Sequence, residues 1–379
     1  MIEEYRKKID EIDDEIARLY VERMGVVKQI GEEKSKSLSP VVVPNREKSI
    51  LTRVTHNAPS DLKLYVKQVF DEIIETSRAY QRRIFSPSTE LSEMLHKAMA
   101  ENRENFPAFG SVACQGVEGA YSGIAAEKLF NLPDVTYFKT FEGVFQSVEK
   151  GLCEYGVLPI ENSSVGSVNA VYDLMKQHRF YIVRSIKLKI NHSLMAKPGT
   201  KLSDITEIFS HEQALNQCSK FLSTLPKNVK ITVCSNTAVA AKTVAESDDK
   251  VACISSRNCA ELYGLNVLSS NVQNSDNNYT RFICIKKELK IYNGANRISI
   301  MMTLPHEAGS LNRTLNKFTT LGLNLTKLES RPIPNSTFEF MFYFDFEGQP
   351  EDTEVMGLLS ELDAGSDQFS FLGSYAEIG

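Results

Sequence analysis

The chain has 379 residues, 42% of them hydrophobic and 24% charged. That is too long for one ordinary core, and at about 150 residues per domain it predicts two or three folded units of a soluble globular protein. Forty-three basic against forty-eight acidic residues leave a net charge of −5, which excludes bulk attraction to nucleic acid or an anionic membrane but allows a local basic pocket. No apolar run approaches the roughly 18 residues that span a bilayer. The first residues lack a signal peptide's apolar stretch, and seven scattered cysteines fit reduced thiols. A cytoplasmic protein is expected.

Residues 2–34 read as one long helix, with Ile9, Ile12, Ile16, Leu19, Val26 and Ile30 at three- and four-residue steps. Pro40 and Pro44 bound a loop, a short helix is expected over 46–54, and a third over 61–85 with a stripe of Leu62, Val66, Val69, Phe70, Ile73 and Ile74. The first helix would overhang so small a core, which argues for an intertwined helical dimer. Residues 86–108 are polar and charged, helical around 91–99, and read as a linker.

From Ser111 short apolar runs alternate with helical stretches. Strands are expected at 112–114, 157–160, 208–209, 231–234, 251–254 and 282–285, and helices at 141–150, 167–177, 212–222 and 237–245. This is the grammar of an α/β unit with mostly parallel strands. A second linker is expected at 287–296, ending in Asn293-Gly294. The last segment reads strand 298–303, helix 310–321, strands 323–329 and 338–346, helix 353–362 and strand 369–372. That βαββαβ order is ferredoxin-like.

The most informative anomaly lies in the first helix. Its three-four rhythm runs through Arg6, Arg23 and Lys34, so three cations share the face that should be buried. Desolvating unpaired cations costs several kcal/mol, and the third helix continues its stripe through Ser77 to Gln81, both polar. A pocket for a small dianion follows. At Arg6, Glu22-Arg23, Gly31, Lys34, Pro40, Arg46-Glu47 and Glu75-x-Ser77-x-x-x-Gln81 the sequence resembles the all-helical chorismate mutases. The resemblance implies that Arg6 from a neighbouring chain and Arg23 hold the two carboxylates of chorismate. Lys34 and Gln81 would face its ether oxygen and Glu47 its hydroxyl, with Arg46 and Ser77 completing the lining. Val43 stands where many members carry Asp. A Claisen rearrangement needs the diaxial conformer held and donors placed where the breaking C–O bond gathers charge.

In the middle unit, Gly116-x-x-Gly119-x-Tyr121-Ser122 follows a strand and opens a helix, but it fits neither nucleotide-binding fingerprint. Polar runs at the carboxyl ends of strands are where open α/β sheets put their sites: Glu161-Asn162-Ser163 and Ser210-His211-x-Gln213. Asn278-Tyr279-Thr280-Arg281-Phe282 starts the last strand, and Asn236-Thr237-Ala238 comes with an alanine-rich helix. Together with Leu262-Tyr263-Gly264-Leu265, these resemble prephenate dehydratase over residues 109–285, with Glu212 where proline is common. The resemblance implies two α/β lobes around a cleft, like a periplasmic binding protein, and loss of carbon dioxide and hydroxide from prephenate to give phenylpyruvate. Thr280 would donate to the departing hydroxyl and Arg281 would pair with a carboxylate. Glu161, Asn162, Ser163, Ser210, Gln213 and Thr237 would line the cleft. The sequence shows no CxxC, HExxH or GxSxG motif, so neither a metal nor another cofactor is expected.

The tail resembles an ACT domain with phenylalanine-binding motifs at Gly309, Leu311, Asn324, Leu325, Thr326, Glu329, Ser330 and Arg331, with Ser310 where alanine is usual. Over nearly the whole chain the sequence thus resembles bifunctional chorismate mutase–prephenate dehydratases. The implied division is a helical mutase domain 1–85, a dehydratase domain 109–286 and a regulatory domain 297–379. The implied ligands are chorismate, prephenate and the effector L-phenylalanine, in a homodimer or homotetramer. Arogenate dehydratase, or a catalytically dead amino-acid sensor, are the alternatives; intact Lys34, Gln81 and Thr280 argue against the latter.

Overall fold

The computed structural model describes residues 1–84, 88–101, 104–247, 250–333 and 339–379. They form two compact units, one of residues 1–101 with 297–371, the other of residues 102–296 with 372–379.

The chain opens with α1 (Ile2–Ser37), α2 (Pro44–His56), α3 (Lys63–Ile84) and α4 (Glu90–Glu101). α1 is 36 residues long, about 54 Å at 1.5 Å per residue, and it ends where Leu38 turns left-handed. Pro44 sits in the first turn of α2, where its missing N–H leaves nothing unsatisfied. Position 85, expected to end the third helix, lies outside the described residues.

Val27 and Gly31 of α1 are buried, but Ile9, Ile12, Ile16, Leu19, Val26 and Ile30 are each 44% to 58% exposed. The stripe expected in a core is therefore uncovered within one chain. Geometry explains it: α1 has 36 residues and α3 has 22, and the contacts that join them fall in the second half of α1. There Tyr20 donates to Thr76 Oγ1 at 2.9 Å. At Gly31 an added Cβ would sit 3.2 Å from Ile84 Cδ1, so glycine lets the helices close.

The expected first linker carries the expected helix, here Glu90–Glu101, and is packed. Leu91, Leu95 and Ala98 of α4 are buried, and Phe106 packs on Phe130 and Tyr292. Positions 86, 87, 102 and 103 of that linker lie outside the described residues.

The second unit runs β1 (Phe109–Gln115), α5 (Tyr121–Leu129), β2 (Leu132–Phe138), α6 (Phe141–Glu149), β3 (Tyr155–Asn162), β4 (Gly166–Ser167), α7 (Asn169–Met175), β5 (Tyr181–Lys189) and β6 (Ser193–Ala196). It continues with β7 (Glu207–His211), α8 (Glu212–Gln217), α9 (Ser219–Leu222), β8 (Lys230–Cys234), α10 (Thr237–Glu246), β9 (Val251–Ser255), α11 (Asn258–Leu262), β10 (Asn266–Ser269) and β11 (Tyr279–Lys286). One sheet holds β5-β11-β3-β1-β2, the other β10-β6-β9-β7-β8. The chain leaves the first sheet, builds the second, and returns in β11. The result is two lobes.

The expectation of mostly parallel strands is corrected. β1 pairs parallel with β2 and β3, and β7 with β8 and β9, but β11 is antiparallel to both neighbours and β6 is antiparallel to β9 and β10. A returning strand inserted from the other lobe has no crossover helix to make it parallel. The helix expected over 212–222 breaks at Cys218, where the Asn274 amide donates to Asn216 O at 3.2 Å and accepts from Lys220 N at 3.0 Å. That side chain satisfies the backbone groups the break exposes. The expected second linker is also packed: Ile291 and Tyr292 are buried, and Tyr292 meets the Tyr155 hydroxyl at 3.1 Å.

The C-terminal part of the first unit is β12 (Arg297–Thr303), α12 (Ser310–Thr320), β13 (Leu325–Pro332), β14 (Phe340–Glu347), α13 (Thr353–Ala364) and the start of β15 (Phe369–Ile378). Sheet order β13-β14-β12-β15 is ferredoxin-like. Position 338, expected to start a strand, lies outside the described residues. The strand expected over 369–372 continues to Ile378, and residues 372–379 belong to the second unit. Ala376–Ile378 runs parallel to Arg184–Ile186. Gly373 permits that approach: its φ is +149°, and a Cβ there would lie 2.1 Å from Ile182 O.

Candidate active sites

A cavity of about 450 Å³ lies among α1, α2 and α3, lined by Arg23, Lys34, Arg46, Arg53, Arg78, Glu47, Ser77 and Gln81 beside Val43, Ile50, Phe70 and Ile74. Five cations face one carboxylate, the charge balance that suits a dianion. Arg23 donates to Ser77 Oγ, and Lys34 Nζ donates to Val41 O at 2.6 Å. Burial pushes the Lys34 ammonium below the ordinary lysine range, with Glu47 pulling the other way. Burial likewise lowers Arg23. Gln81 is 8% exposed, and its side-chain oxygen meets no hydrogen-bond partner among the described residues.

Six of the seven residues expected in the helical pocket thus come together. Arg6 does not reach it. Its side chain is 69% exposed and pairs with Glu3 at 3.1 Å, and the seventeen residues to Arg23 span about 26 Å along the helix. Arg78 was not anticipated. Its Nε donates to Glu47 Oε1 at 2.9 Å and its Nη2 to Glu47 Oε2, while Nη1 meets Glu75 Oε2 at 3.0 Å. Burial opposes the Arg78 charge, but Glu47, Glu75 and Glu361 together outweigh it and raise the guanidinium pKa. The available signal was the Glu75, Arg78, Arg82 spacing, which puts three charges on one helix face.

In the second unit a cavity of about 510 Å³ is lined by Ser164, Val165, His211, Gln213, Gln217, Gln273 and Asn278 among others. Beside it, Asn162 Nδ2 donates to Thr280 Oγ1 and to Asn278 Oδ1, both at 2.8 Å. Thr280 accepts this bond, so its own hydroxyl proton stays available to a ligand. Asn278 donates onward to Gln217 Oε1 at 3.1 Å, which also faces His192 Nε2 at 3.0 Å. Burial lowers the pKa of His192, which is 2% exposed, and keeps the ring neutral. Sequence reasoning missed Gln217 and His192, which fall on no apolar period and in no motif, and it met Asn278 only as the start of the run that holds Thr280, without giving it a role.

Several expected lining residues are placed elsewhere. Arg281 is buried and holds Glu377 Oε2 through Nε at 2.6 Å and Tyr375 Oη through Nη2 at 2.8 Å, with Glu161 at 3.7 Å. Neighbours on a strand point to opposite faces, so Arg281 and its cross-strand partner Glu161 face away from the pair Thr280 and Asn162. Ser210 is fully buried and donates to Ile254 O at 2.6 Å. Ser163 donates to Asn277 O at 3.0 Å and accepts from Tyr279 N at 2.9 Å, so its proton is already used. Thr237 opens α10 next to the cap Asn236 and is not among the residues around the cavity.

In the C-terminal part Gly309 caps α12 with φ +84° and Leu311 lies in its first turn. Asn324 donates to Glu347 Oε2 at 3.2 Å. Leu325, Glu329 and Arg331 alternate with the exposed Thr326 and Ser330 along β13, an edge of its sheet.

Comparison with known proteins adds two family matches, chorismate mutase type II over residues 5–82 and prephenate dehydratase over residues 112–290. A bifunctional chorismate mutase/prephenate dehydratase of Aquifex aeolicus (strain VF5) is 32% identical over 377 residues, 99% of this chain and 97% of that one. A prephenate dehydratase from Arthrobacter aurescens, solved in complex with L-Phe, is 29% identical with a TM-score of 0.64, covering 70% of this chain and 90% of that one. GqqA, described as a novel type of quorum quenching acylase, has the same identity and TM-score and covers 70% of this chain and 97% of that one. The helical and two-lobed parts therefore define a mutase joined to a dehydratase. The chain belongs to the bifunctional chorismate mutase/prephenate dehydratase family and is an enzyme of phenylalanine biosynthesis with both activities.

Proposed function

We propose that chorismate occupies the cavity among α1, α2 and α3, with Arg23 and the partner subunit's Arg6 on its two carboxylates. Lys34 and the Gln81 amide stabilise the ether oxygen as the C–O bond breaks, and Glu47, oriented by Arg78, receives the substrate hydroxyl. Arg46 and Ser77 complete the lining. No group has to form a bond to substrate; preorganised charge carries the step. The observation that carries this reading is a half-buried cavity with five cationic side chains and one carboxylate. The exposed stripe on α1 supports an even-numbered assembly in which a second copy covers it.

Prephenate is assigned to the cavity between the two lobes. As its ring carboxylate departs as carbon dioxide, the electron pair of that bond moves into the ring and expels the hydroxyl, which takes a proton on leaving as water. Thr280, with its oxygen occupied by Asn162, supplies the hydrogen bond to that hydroxyl; Gln213 and Asn278 contact the rest of the substrate. Arg281, Glu161, Ser163, Ser210 and Thr237 do not line that cavity and are given supporting roles: Arg281 and Glu161 on the other face of the sheet, Ser163 through its bonds to Asn277 and Tyr279.

The βαββαβ part is read as an ACT domain that binds phenylalanine through Gly309, Leu311, Asn324, Leu325, Thr326, Glu329, Ser330 and Arg331. A related prephenate dehydratase was solved in complex with L-Phe, which supports phenylalanine as the effector. The working segments are 1–85, 109–286 and 297–379, with the last eight residues serving the dehydratase part. All seven cysteines carry free thiols, which supports a reducing compartment such as the cytoplasm.

The test feeds chorismate and then prephenate to the full chain and follows phenylpyruvate, with and without phenylalanine. Formation from both substrates, suppressed by phenylalanine, is expected. Turnover of prephenate but not chorismate would remove the mutase assignment; turnover unaffected by phenylalanine would remove the effector assignment.

A further inference from the structure

Beneath the mutase cavity lies a closed ring of alternating charge. Arg78 Nη1 meets Glu75 Oε2 at 3.0 Å, Glu75 Oε1 meets Arg82 Nη2 at 3.0 Å, Arg82 pairs with Glu361 Oε2, and Glu361 Oε1 returns to Arg78 Nη1 at 3.6 Å. Lys317 braces Glu361 at 2.7 Å. Three members come from α3; Glu361 comes from α13 and Lys317 from α12. The opposite side of the Arg78 guanidinium, Nε and Nη2, grips the Glu47 carboxylate that lines the cavity.

The ring is buried: the Arg82, Glu75 and Glu361 side chains are 3%, 9% and 11% exposed. Charges this secluded demand compensation, and here they balance, with Arg78, Arg82 and Lys317 against Glu47, Glu75 and Glu361. Burial opposes the Glu361 charge, but Arg82, Lys317 and Arg78 hold its carboxyl below the usual carboxylate range.

We propose that Glu361, contributed by the C-terminal βαββαβ part, is a positioning residue for the mutase: by holding Arg82 and Arg78 it fixes the orientation of Glu47 in the chorismate cavity. This rests on reading that cavity as the mutase site. Deleting the charge on Glu361 leaves the buried Arg82 and the partly buried Arg78 competing for Glu75 and Glu47. Arg78 then leaves the geometry that presents Glu47 to substrate, and a displacement of about 1 Å is enough to slow an oriented reaction many-fold. The C-terminal part thus supplies a piece of the mutase.

The experiment is a double-mutant cycle in the full chain with Glu361→Gln and Glu47→Gln, measuring chorismate and prephenate kinetics on each variant. Glu361→Gln should lower mutase kcat/KM about tenfold and leave dehydratase kinetics unchanged. In the Glu47→Gln background the same change should cost less than about twofold, because coupled residues are not additive. Glu361→Asp should recover part of the loss, and Lys317→Gln should reproduce a smaller one should Glu361→Gln fail to fold. Equal losses in both backgrounds, no loss at all, or parallel loss of both activities would overturn the proposal. A native chain without chorismate turnover would instead remove the cavity reading, and the ring's role with it.

Discussion

Thr280 and Arg281 are consecutive in β11 and work on opposite faces of its sheet. Thr280 Oγ1 takes a hydrogen bond from Asn162 at 2.8 Å, while Arg281 Nε lies 2.6 Å from Glu377 of β15. The pleat enforces this division, and with Thr280 in its proposed role it separates chemistry from anchoring within a single motif.

The two positions should therefore fail differently. Thr280→Ala is expected to lower dehydratase kcat by at least about a hundredfold, the usual weight of one positioned donor, with prephenate KM changed little and thermal stability retained. Arg281→Ala is expected to remove one of the two cations that hold Glu377, Lys187 being the other, and to cost stability by up to about 3 kcal/mol. Urea unfolding alongside steady-state kinetics distinguishes them. Near-normal turnover in folded Thr280→Ala would discard its assigned role.

Substituting the exposed stripe should cost an activity it never touches. With Ile9 at 55% and Ile16 at 58% exposed, lysine at either position is harmless to a lone helix but blocks burial against a second copy. Ile9→Lys and Ile16→Lys are expected to shift the sedimenting species to smaller mass and to cut mutase activity by about a hundredfold or more, because Arg6 is withdrawn from its partner's cavity. Dehydratase activity should persist. An unchanged assembly with full mutase activity would break the link between α1 and the second copy.

Much of this was legible in the chain and some was not, for identifiable reasons. The three-four rhythm located α1 and α3, and cations on that rhythm pointed to the cavity. Alternation along a strand could have separated Thr280 from Arg281, yet motif reading grouped them. β2 (Leu132–Phe138) and β5 (Tyr181–Lys189) mix polar with apolar residues because an edge strand and a strand under partial cover need no continuous apolar run. Sheet order and the Glu361–Arg82 pair depend on contacts far apart in sequence, where no local periodicity exists.

The mutase should lose rate on the alkaline side earlier than an ordinary lysine would dictate. In its proposed role Lys34 must carry charge to stabilise the breaking bond, and burial lowers its pKa despite the Glu47 carboxylate nearby. The sign follows: a group whose charged form is disfavoured gives up its proton at lower pH, so kcat/KM for chorismate falls as pH rises through that lowered value. Lys34→Ala should abolish the limb together with the activity, and Lys34→Arg should move any residual limb upward. A mutase profile flat to the ordinary lysine range would contradict the role.

His192 supplies an acid-side prediction. Its pKa is lowered from 6.5 by burial, the Gln217 contact opposing, so below that value the unfolded chain binds a proton the folded chain refuses. Stability then rises with pH in this window and falls on acidification, by up to about 1.4 kcal/mol per pH unit from this one group. His192→Gln should flatten the dependence between the unfolded and folded pKa values. Unfolding free energies measured at closely spaced pH test it; equal slopes for the two proteins would assign the acid sensitivity to other groups.

β15 offers the sharpest test of packing. At Gly373 an added Cβ would lie 2.1 Å from Ile182 O, a backbone atom that no rotamer change can move, in a conformation with φ +149°. Gly373→Ala is expected to cost at least about 3 kcal/mol. The loss should draw dehydratase activity with it, since Tyr375 and Glu377 on the same strand hold Arg281. The neighbouring Ser374 provides the contrast. It is fully buried, and its hydroxyl meets no partner among the described residues, so Ser374→Ala removes an unsatisfied polar group and should leave stability unchanged or slightly raised. Calorimetry on the pair reads the difference directly. A mild Gly373→Ala would mean that β15 does not press against Ile182 as closely as this geometry requires.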